Sequence, residues 1–309
     1  MKIRELAGGL QFPEGPVAMG DGSILLVEIA RGTLSRVTRD GRVRVVAELG
    51  GGPNGAAIGP DGAVYVCNNG GFAWRTESDG CLRPIGQAAD YSGGRIERVD
   101  LNTGRFERLF DSVEGQNLRG PNDLVFDAHG GFYFTDLGKV RASEMDRGGV
   151  FYAHSGSAAS HVIARPVMTP NGIALSPDGN TLYYAETEGA RVWAFDITAP
   201  GKVRKEGWPS PQGARFLVAA PGGHYQRFDS MAVDADGQLC VATLIHGGIT
   251  VVPPDGGSAS HVPLPDRYTT NICFGGPDLR TAYITLSGVG KLIAIDDWPV
   301  AGLKLNYQA

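Results

Sequence analysis

The sequence predicts an all-β fold, a six-bladed β-propeller of four-stranded antiparallel blades with a metal site at its centre. Three observations predict it. A short apolar-alternating segment followed by an Asp-Gly type turn recurs six times. Between copies there are β-rich runs and no 3.6-residue periodicity. Glycine is abundant, 46 of 309 residues with no Gly-X-Y period, as many tight turns require.

The copies are EGPVAMGDG, NGAAIGPDG, NDLVFDAHG, NGIALSPDG, DSMAVDADG and NICFGGPDL, beginning at Glu14, Asn54, Asn122, Asn171, Asp229 and Asn271. Seven steps on lie Asp21, Asp61, His129, Asp178, Asp236 and Asp278, each followed by Gly except the last. After the turn comes a second strand (SILLVEI, AVYVCNN, GFYFTDL, TLYYAET, QLCVATL, TAYITLS), a Gly-containing loop and, in most copies, third and fourth strands such as TLSRVTRD and RVRVVAEL. Anchors spaced 40, 68, 49, 58 and 42 residues apart read as blades around an axis, in one domain over residues 1–309. A β-sandwich or a pair of small barrels leaves the constant seven-step register unexplained, and a parallel α/β fold needs crossover helices that the pattern lacks. Closing the ring requires a fourth strand for the last blade, taken from KIRELA near the start or LKLNY near the end.

A composition of 42% hydrophobic and 20% charged residues is that of an ordinary globular chain. The formal charge of −5, with no basic run longer than a pair, argues against nucleic acid or an anionic membrane as partner. Apolar runs are short, as at residues 24–27, which Glu28 ends, and MKIRELAGGLQFPEG has neither the basic start nor the apolar stretch of a secretory signal. The expected setting is cytoplasmic, as a monomer or weak homo-oligomer. Four cysteines, Cys67, Cys81, Cys240 and Cys273, match neither a disulfide scaffold nor a CxxC zinc spacing and read as free thiols.

In a propeller the first strand of each blade lines the central channel, so Glu14, Asn54, Asn122, Asn171, Asp229 and Asn271 share one height around the axis. Two carboxylates and four carboxamides fill a core poorly, since each unpaired buried polar group costs about 1–3 kcal/mol. A hard divalent cation satisfies such a set. The oxygen donors favour Ca²⁺, with Mg²⁺, Mn²⁺ or, at an open catalytic site, Zn²⁺ as alternatives. The competing reading has each Asn or Asp capping its own turn.

Up-and-down topology places the loops entering each first strand on the same face as the loops between second and third strands. That face carries Asn69, Phe72, Trp74, Arg119, Tyr225, Arg227, His224, His246 and Tyr268. The 68-residue interval puts its extra length there, in residues 70–94, read as a lid. A second insertion, residues 198–212, is expected on the far face between third and fourth strands. Asp123, next after a ring residue, points away from the channel if its strand is regular.

The segments FPEGP, GPNDLVFDAHGGFYFTD, TPNGIALSPDGNTLYYAET and FDSMAVDADG resemble the senescence marker protein, gluconolactonase and luciferin-regenerating enzyme family, the regucalcin-like six-bladed propellers, over nearly the whole chain. The resemblance implies a divalent metal held by Glu14, Asn171 and Asp229 with Asn122 beside it, hydrolysis of a lactone, and Asp229 as general base. Related propellers hydrolyse organophosphates and aryl esters on a similar site. One departure stands out: the family's substrate-binding Arg, two residues before the position of Asn122, is Gly120 here, with Arg119 one step further back.

The expected chemistry is attack of water on the lactone carbonyl, with the metal polarising that carbonyl and Asn54, Asn122 or Asn271 holding the ring. Arg119, Asn69, Phe72, Trp74, His246 and Tyr225 complete the expected substrate pocket. Asp229 is the expected base, with His246 or His224 as alternatives because imidazole titrates near neutrality. Three other readings compete: an esterase or phosphotriesterase on the same site, a non-catalytic propeller stapled by its ion, and a metal-free bond-forming propeller of the strictosidine-synthase type.

Overall fold

The computed structural model describes residues 2–156 and 159–308. Six antiparallel sheets surround an axis, as the repeat predicts, five of four strands and one, blade 4, with its outermost strand in two pieces. Their innermost strands are Pro13–Ala18, Pro53–Ile58, Pro121–Phe126, Pro170–Leu175, Arg227–Val233 and Thr269–Gly275, and each contacts the next around a closed ring. Almost every residue on them is buried, since one edge faces the channel and both faces meet neighbouring blades. The apolar core is correspondingly divided into six clusters, one per blade interface. Leu34, Val64 and Val99 lie between blades 1 and 2, for example, and Tyr133, Tyr184 and Phe195 between blades 3 and 4.

The turn after each innermost strand is built as its sequence requires. Asp21 Oδ1 accepts from Ser23 N at 2.9 Å, and Asp61, Asp178 and Asp278 repeat the arrangement. In blades 3 and 5 the acceptor is two residues earlier, at Asp127 and Asp234. Where the sixth copy lacks Gly, Leu279 takes the left-handed conformation itself, at φ 57°.

The last blade is closed by the N-terminus. Lys2–Ala7 pairs antiparallel with Lys291–Asp296 and completes the sheet of Thr269–Gly275 and Thr281–Leu286. The C-terminal segment instead crosses the far end of the channel: Leu303 N donates to Val233 O, Asn306 Nδ2 to Phe126 O and Gln308 Nε2 to Phe274 O. It closes a mainly apolar cavity of about 90 Å³ lined by Gly15, Ala56, Asp123 and Met231.

The second insertion does not simply join two strands. Arg191–Ala199 pairs with Lys202–Arg204 near its end and with Arg215–Ala219 near its start, so residues 205–214 interrupt the fourth strand of blade 4. Cys67, Cys81 and Cys240 are buried, Cys273 is partly so, and all four are free thiols. Among the described residues no helix is long and apolar enough to cross a membrane.

Candidate functional site

Each innermost strand breaks its pairing register where the ring residue stands. The irregularities fall between Pro53 and Ala56, Pro121 and Leu124, Pro170 and Ile173, and Phe228 and Met231, with those in blades 1 and 6 adjoining Glu14 and Asn271. A bulge bends the strand and re-aims its side chains. It also suspends strict alternation: Asp123, expected to point away from the channel on a regular strand, lines the axial cavity, while its Oδ1 ties down backbone by accepting from Leu124 N at 2.9 Å. That carboxylate is buried beside the ring, and its charge acts on both Glu14 and Asp229.

Five ring residues are fully buried, whereas Asp229 keeps partial exposure. Glu14 Oε2 accepts from Gly15 N at 2.6 Å and from Asn271 Nδ2 at 2.6 Å, and Asn271 Oδ1 accepts from Ile272 N at 2.8 Å. Both polar atoms of Asn271 are thus committed to orienting Glu14 and its own strand. Asn171 Nδ2 donates to Thr187 Oγ1 at 3.0 Å, and its Oδ1 accepts from Ser230 Oγ at 3.4 Å. Glu14 Oε1 and Asn122 Oδ1 are buried with no hydrogen-bond partner.

Glu14 and Asp123 are held out of water, and the partly exposed Asp229 lies near both. Burial first, then the charge of Asp229, raises the Glu14 pKa well above the usual carboxylate range. Burial and the charge of Asp123 push Asp229 up to about 7, with Asn171 and the Ser230 N–H pulling the other way. Asp123 is raised to about 7, chiefly by burial. Orphaned oxygens beside crowded acids are a donor set that a hard divalent cation would satisfy and neutralise. Among the described residues no group of three or more His, Cys, Asp or Glu converges as a metal centre, so a cation here draws on amide oxygens too.

Above the ring, the lid is a hairpin, Phe72–Thr76 with Leu82–Gln87. It is tied to blade 3 by Gln87 N donating to Val140 O, and to blade 6 by Leu82 N donating to Gly288 O. An ion pair of Asp79 with Arg267 adds a further tie. Aromatic rings continue across it: Phe72 meets Trp74 at 6.0 Å, Trp74 meets Phe12 at 5.0 Å, and Phe12 meets Tyr268 at 5.8 Å. Phe12 lies two residues before Glu14, which places this arc over the blade 1 side of the ring.

The remaining expected residues are placed unevenly. Asn54 is buried on the innermost strand of blade 2. Asn69 is buried against Gly52, where an added Cβ would lie 2.4 Å from Asn69 Oδ1. The Arg119 side chain is exposed, while its backbone is fixed by N–H donation to Asp136 Oδ2 at 2.7 Å. Gly120 cannot carry any side chain there, since a Cβ would approach Gly138 O to 2.4 Å. Tyr225 is 67% exposed and accepts from Arg227 Nε. His246 is sandwiched between His224 at 4.8 Å and His261 at 4.4 Å, a stack reaching the outer strand of blade 5.

Sequence reasoning assigned no role to Lys139, whose Nζ donates to Asn69 Oδ1 and Gly71 O. Asp136, at the end of the second strand of blade 3, accepts from the N–H groups of Arg119, Gly120 and Gly138 and so builds the loop that enters that blade. Only the Asp136 to Gly138 contact is local; the bonds from Arg119 and Gly120 and those of Lys139 join segments far apart in the chain.

Comparison with known proteins agrees with this architecture. The chain is 28% identical over 318 residues to a gluconolactonase of Zymomonas mobilis, covering 92% of this chain and 79% of that protein. It is 30% identical over 222 residues to the diisopropyl-fluorophosphatase of Loligo vulgaris, covering 65% and 68%. Among solved structures, the calcium-binding protein regucalcin of Agrobacterium tumefaciens superposes with a TM-score of 0.76 at 18% identity, over 100% of this chain and 97% of that one, a likeness of fold. Residues 12–288 match the SMP-30/Gluconolactonase/LRE-like region, and the chain belongs to that family.

Proposed function

We propose that this protein is a divalent-metal-dependent hydrolase that opens a lactone ring. The observation carrying this reading is the pair of buried, unpartnered oxygens, Glu14 Oε1 and Asn122 Oδ1, in a ring that also holds Asp229 and Asn171. The relatives named lactonases and gluconolactonases supply the substrate class. Glu14, Asn122, Asn171 and Asp229 would hold the cation, with Ca²⁺ first by donor chemistry. When bound, such an ion supplies a Lewis acid for the lactone carbonyl.

The protein's own groups do the rest. Asp229, the ring member with residual exposure, takes a proton from the attacking water as the new C–O bond forms. It returns that proton to the ring oxygen as the acyl C–O bond breaks, leaving a hydroxy acid. A dication would pull the basicity of Asp229 down, and the neighbouring Asp123 carboxylate opposes that pull. Asn54, at the same height of the ring, supplies a hydrogen bond to the lactone, and the half-exposed Phe72, Trp74 and Tyr268 cover it.

The deciding experiment follows acid release by metal-stripped protein from a panel of γ- and δ-lactones, with Ca²⁺, Mg²⁺, Mn²⁺ and Zn²⁺ restored singly. Turnover restored by one ion, and lost in Asp229→Ala with the fold intact, is the expected result. The match to a diisopropyl-fluorophosphatase favours organophosphates, a fluorophosphate diester beside a phosphotriester, as the second substrate class to include. Tight metal binding with no turnover of lactone, ester or organophosphate would leave the ion as a staple and refute the enzymatic reading.

A further inference from the structure

Lys139 follows the second strand of blade 3 and is 1% exposed. Its Nζ donates to Asn69 Oδ1 at 3.0 Å and to Gly71 O at 2.9 Å, and lies 3.9 Å from the Phe72 ring centroid and 5.3 Å from that of Tyr91. Burial pushes its pKa down to about 7. The two carboxylates that favour its charge are already engaged, Asp136 by three backbone N–H groups and Asp146 by Arg141 at 2.8 Å. Burying an amine this deeply is costly, so what it holds in place is informative.

It holds one amide and the stem of the lid. Asn69 Oδ1 accepts both from Lys139 and from Gly71 N at 2.9 Å, which fixes the carbonyl side of the amide. The other side, Nδ2, is left buried with no acceptor among the described residues. Its sequence neighbour Asn68 shows the contrast. There Oδ1 accepts from Gly52 N and Gly70 N, and Nδ2 donates to Gly50 O and Glu97 Oε2, so every polar atom is used. Asn69 packs on Gly52, two residues before Asn54, at the edge of the ring. A donor oriented from behind by two fixed hydrogen bonds, and unsatisfied in front, is a group held for a ligand.

We propose that Lys139 is a positioning residue, which locks the Asn69 amide so that Nδ2 donates to an oxygen of the bound lactone and pins the lid stem at Gly71 and Phe72. This rests on the lactonase reading above. The test combines steady-state kinetics on a lactone that the wild type opens with hydrogen exchange over residues 70–94. Lys139→Met keeps the stem and loses the donors, and Asn69→Ala removes the amide. Each single variant is expected to lose about tenfold in kcat/KM, with cation-induced stabilisation unchanged. Once Asn69 is gone, Lys139→Met is expected to cost only what loosening of the lid costs, so the double variant loses clearly less than the product of the two single losses. Lys139→Met alone is expected to speed exchange in the lid. Multiplicative losses in the double variant, or Lys139→Met within twofold of wild type, would overturn the proposal.

Should Lys139→Met not fold, Asn69→Asp decides. It keeps an acceptor for Lys139 but replaces the NH₂ donor by oxygen, and wild-type kcat/KM in that variant would overturn the donor role. A wild type that opens no lactone defeats the lactonase reading instead, and the clamp is then judged by exchange alone, where an unchanged lid in Lys139→Met overturns it.

Discussion

Replacing the expected base, Asp229→Asn, should abolish turnover and at the same time stabilise the metal-free protein. Burial and Asp123 raise the folded Asp229 pKa from 3.8 to about 7. The folded state therefore keeps a proton that the unfolded chain releases near pH 4. Between those values the native state binds more protons, so stability falls as pH rises and the full cost is present above about pH 7. A shift of about 3 units corresponds to at most about 4 kcal/mol. Glu14 and Asp123 are displaced in the same direction, and Asp229 contributes to the rise at Glu14, so its removal relieves part of that burden too.

For a chain of 309 residues about 1 kcal/mol moves Tm by roughly 1.5 °C. Calorimetry of chelator-treated protein at pH 8 should then show Asp229→Asn melting above wild type by up to about 6 °C, with the gap closing toward pH 5. A cation at a hundred times its Kd adds about 2.7 kcal/mol to a protein that binds it only when folded. Wild type should gain about 4 °C from Ca²⁺ and the variant much less. A wild type indifferent to all four divalent ions, and equally stable at pH 5 and pH 8, would refute the assignment of the axial oxygens to a cation.

Three further outcomes are expected. Trp74→Ala should raise KM about tenfold for a lactone bearing an apolar substituent while leaving kcat within about twofold, since the arc contributes binding shared by ground and transition states; an unchanged KM would remove the arc from the pocket. Deleting residues 2–7 should lower Tm and cause concentration-dependent association, because Lys291–Asp296 then becomes an unpaired edge; light scattering and calorimetry check both, and a monomer with wild-type Tm would show the strand to be dispensable. Asp123→Asn should move the acidic limb of the pH profile of kcat/KM to lower pH and reduce the plateau rate, because its charge raises Asp229; an unshifted limb would separate Asp123 from the chemistry.

The blade count, the ring and the turn chemistry were legible because they depend on residues seven apart in one chain segment. Even the sixth copy, without its Gly, could be aligned by the same step, and Leu279 adopts the required conformation. What escaped depends on distant partners. Whether the N- or C-terminal segment closes the last blade is decided by the match of Lys2–Ala7 to a strand nearly the whole chain away. The Asn271 contact with Glu14 spans 257 residues, and that of Lys139 with Asn69 spans 70. Asp123 was misplaced for a different reason. Alternation is a property of regular strands, and a bulge set by cross-strand register cannot be read from one strand's own pattern.

The site arises where the six-fold pattern is broken. The position after the ring residue is Gly15, Gly55 and Gly172 in blades 1, 2 and 4. Added Cβ atoms there would lie 2.8, 2.5 and 2.6 Å from the carbonyl oxygens of Asn54, Asn122 and Asp229 in the next blade. Those innermost strands pack backbone to backbone. Blades 3, 5 and 6 carry Asp123, Ser230 and Ile272 instead, and two of these surround the expected base: Ser230 follows it and donates to Asn171, and Asp123 acts on it through charge. A dication would balance Glu14 and Asp229 and leave the charge of the third carboxylate, Asp123, whose Oδ1 accepts from Leu124 N at 2.9 Å, uncompensated at the axis. Its presence is explained if Asp229 must remain basic beside a cation. The glycines hold the ring tight, and where blades 3 and 5 depart from glycine they place Asp123 and Ser230 beside Asp229.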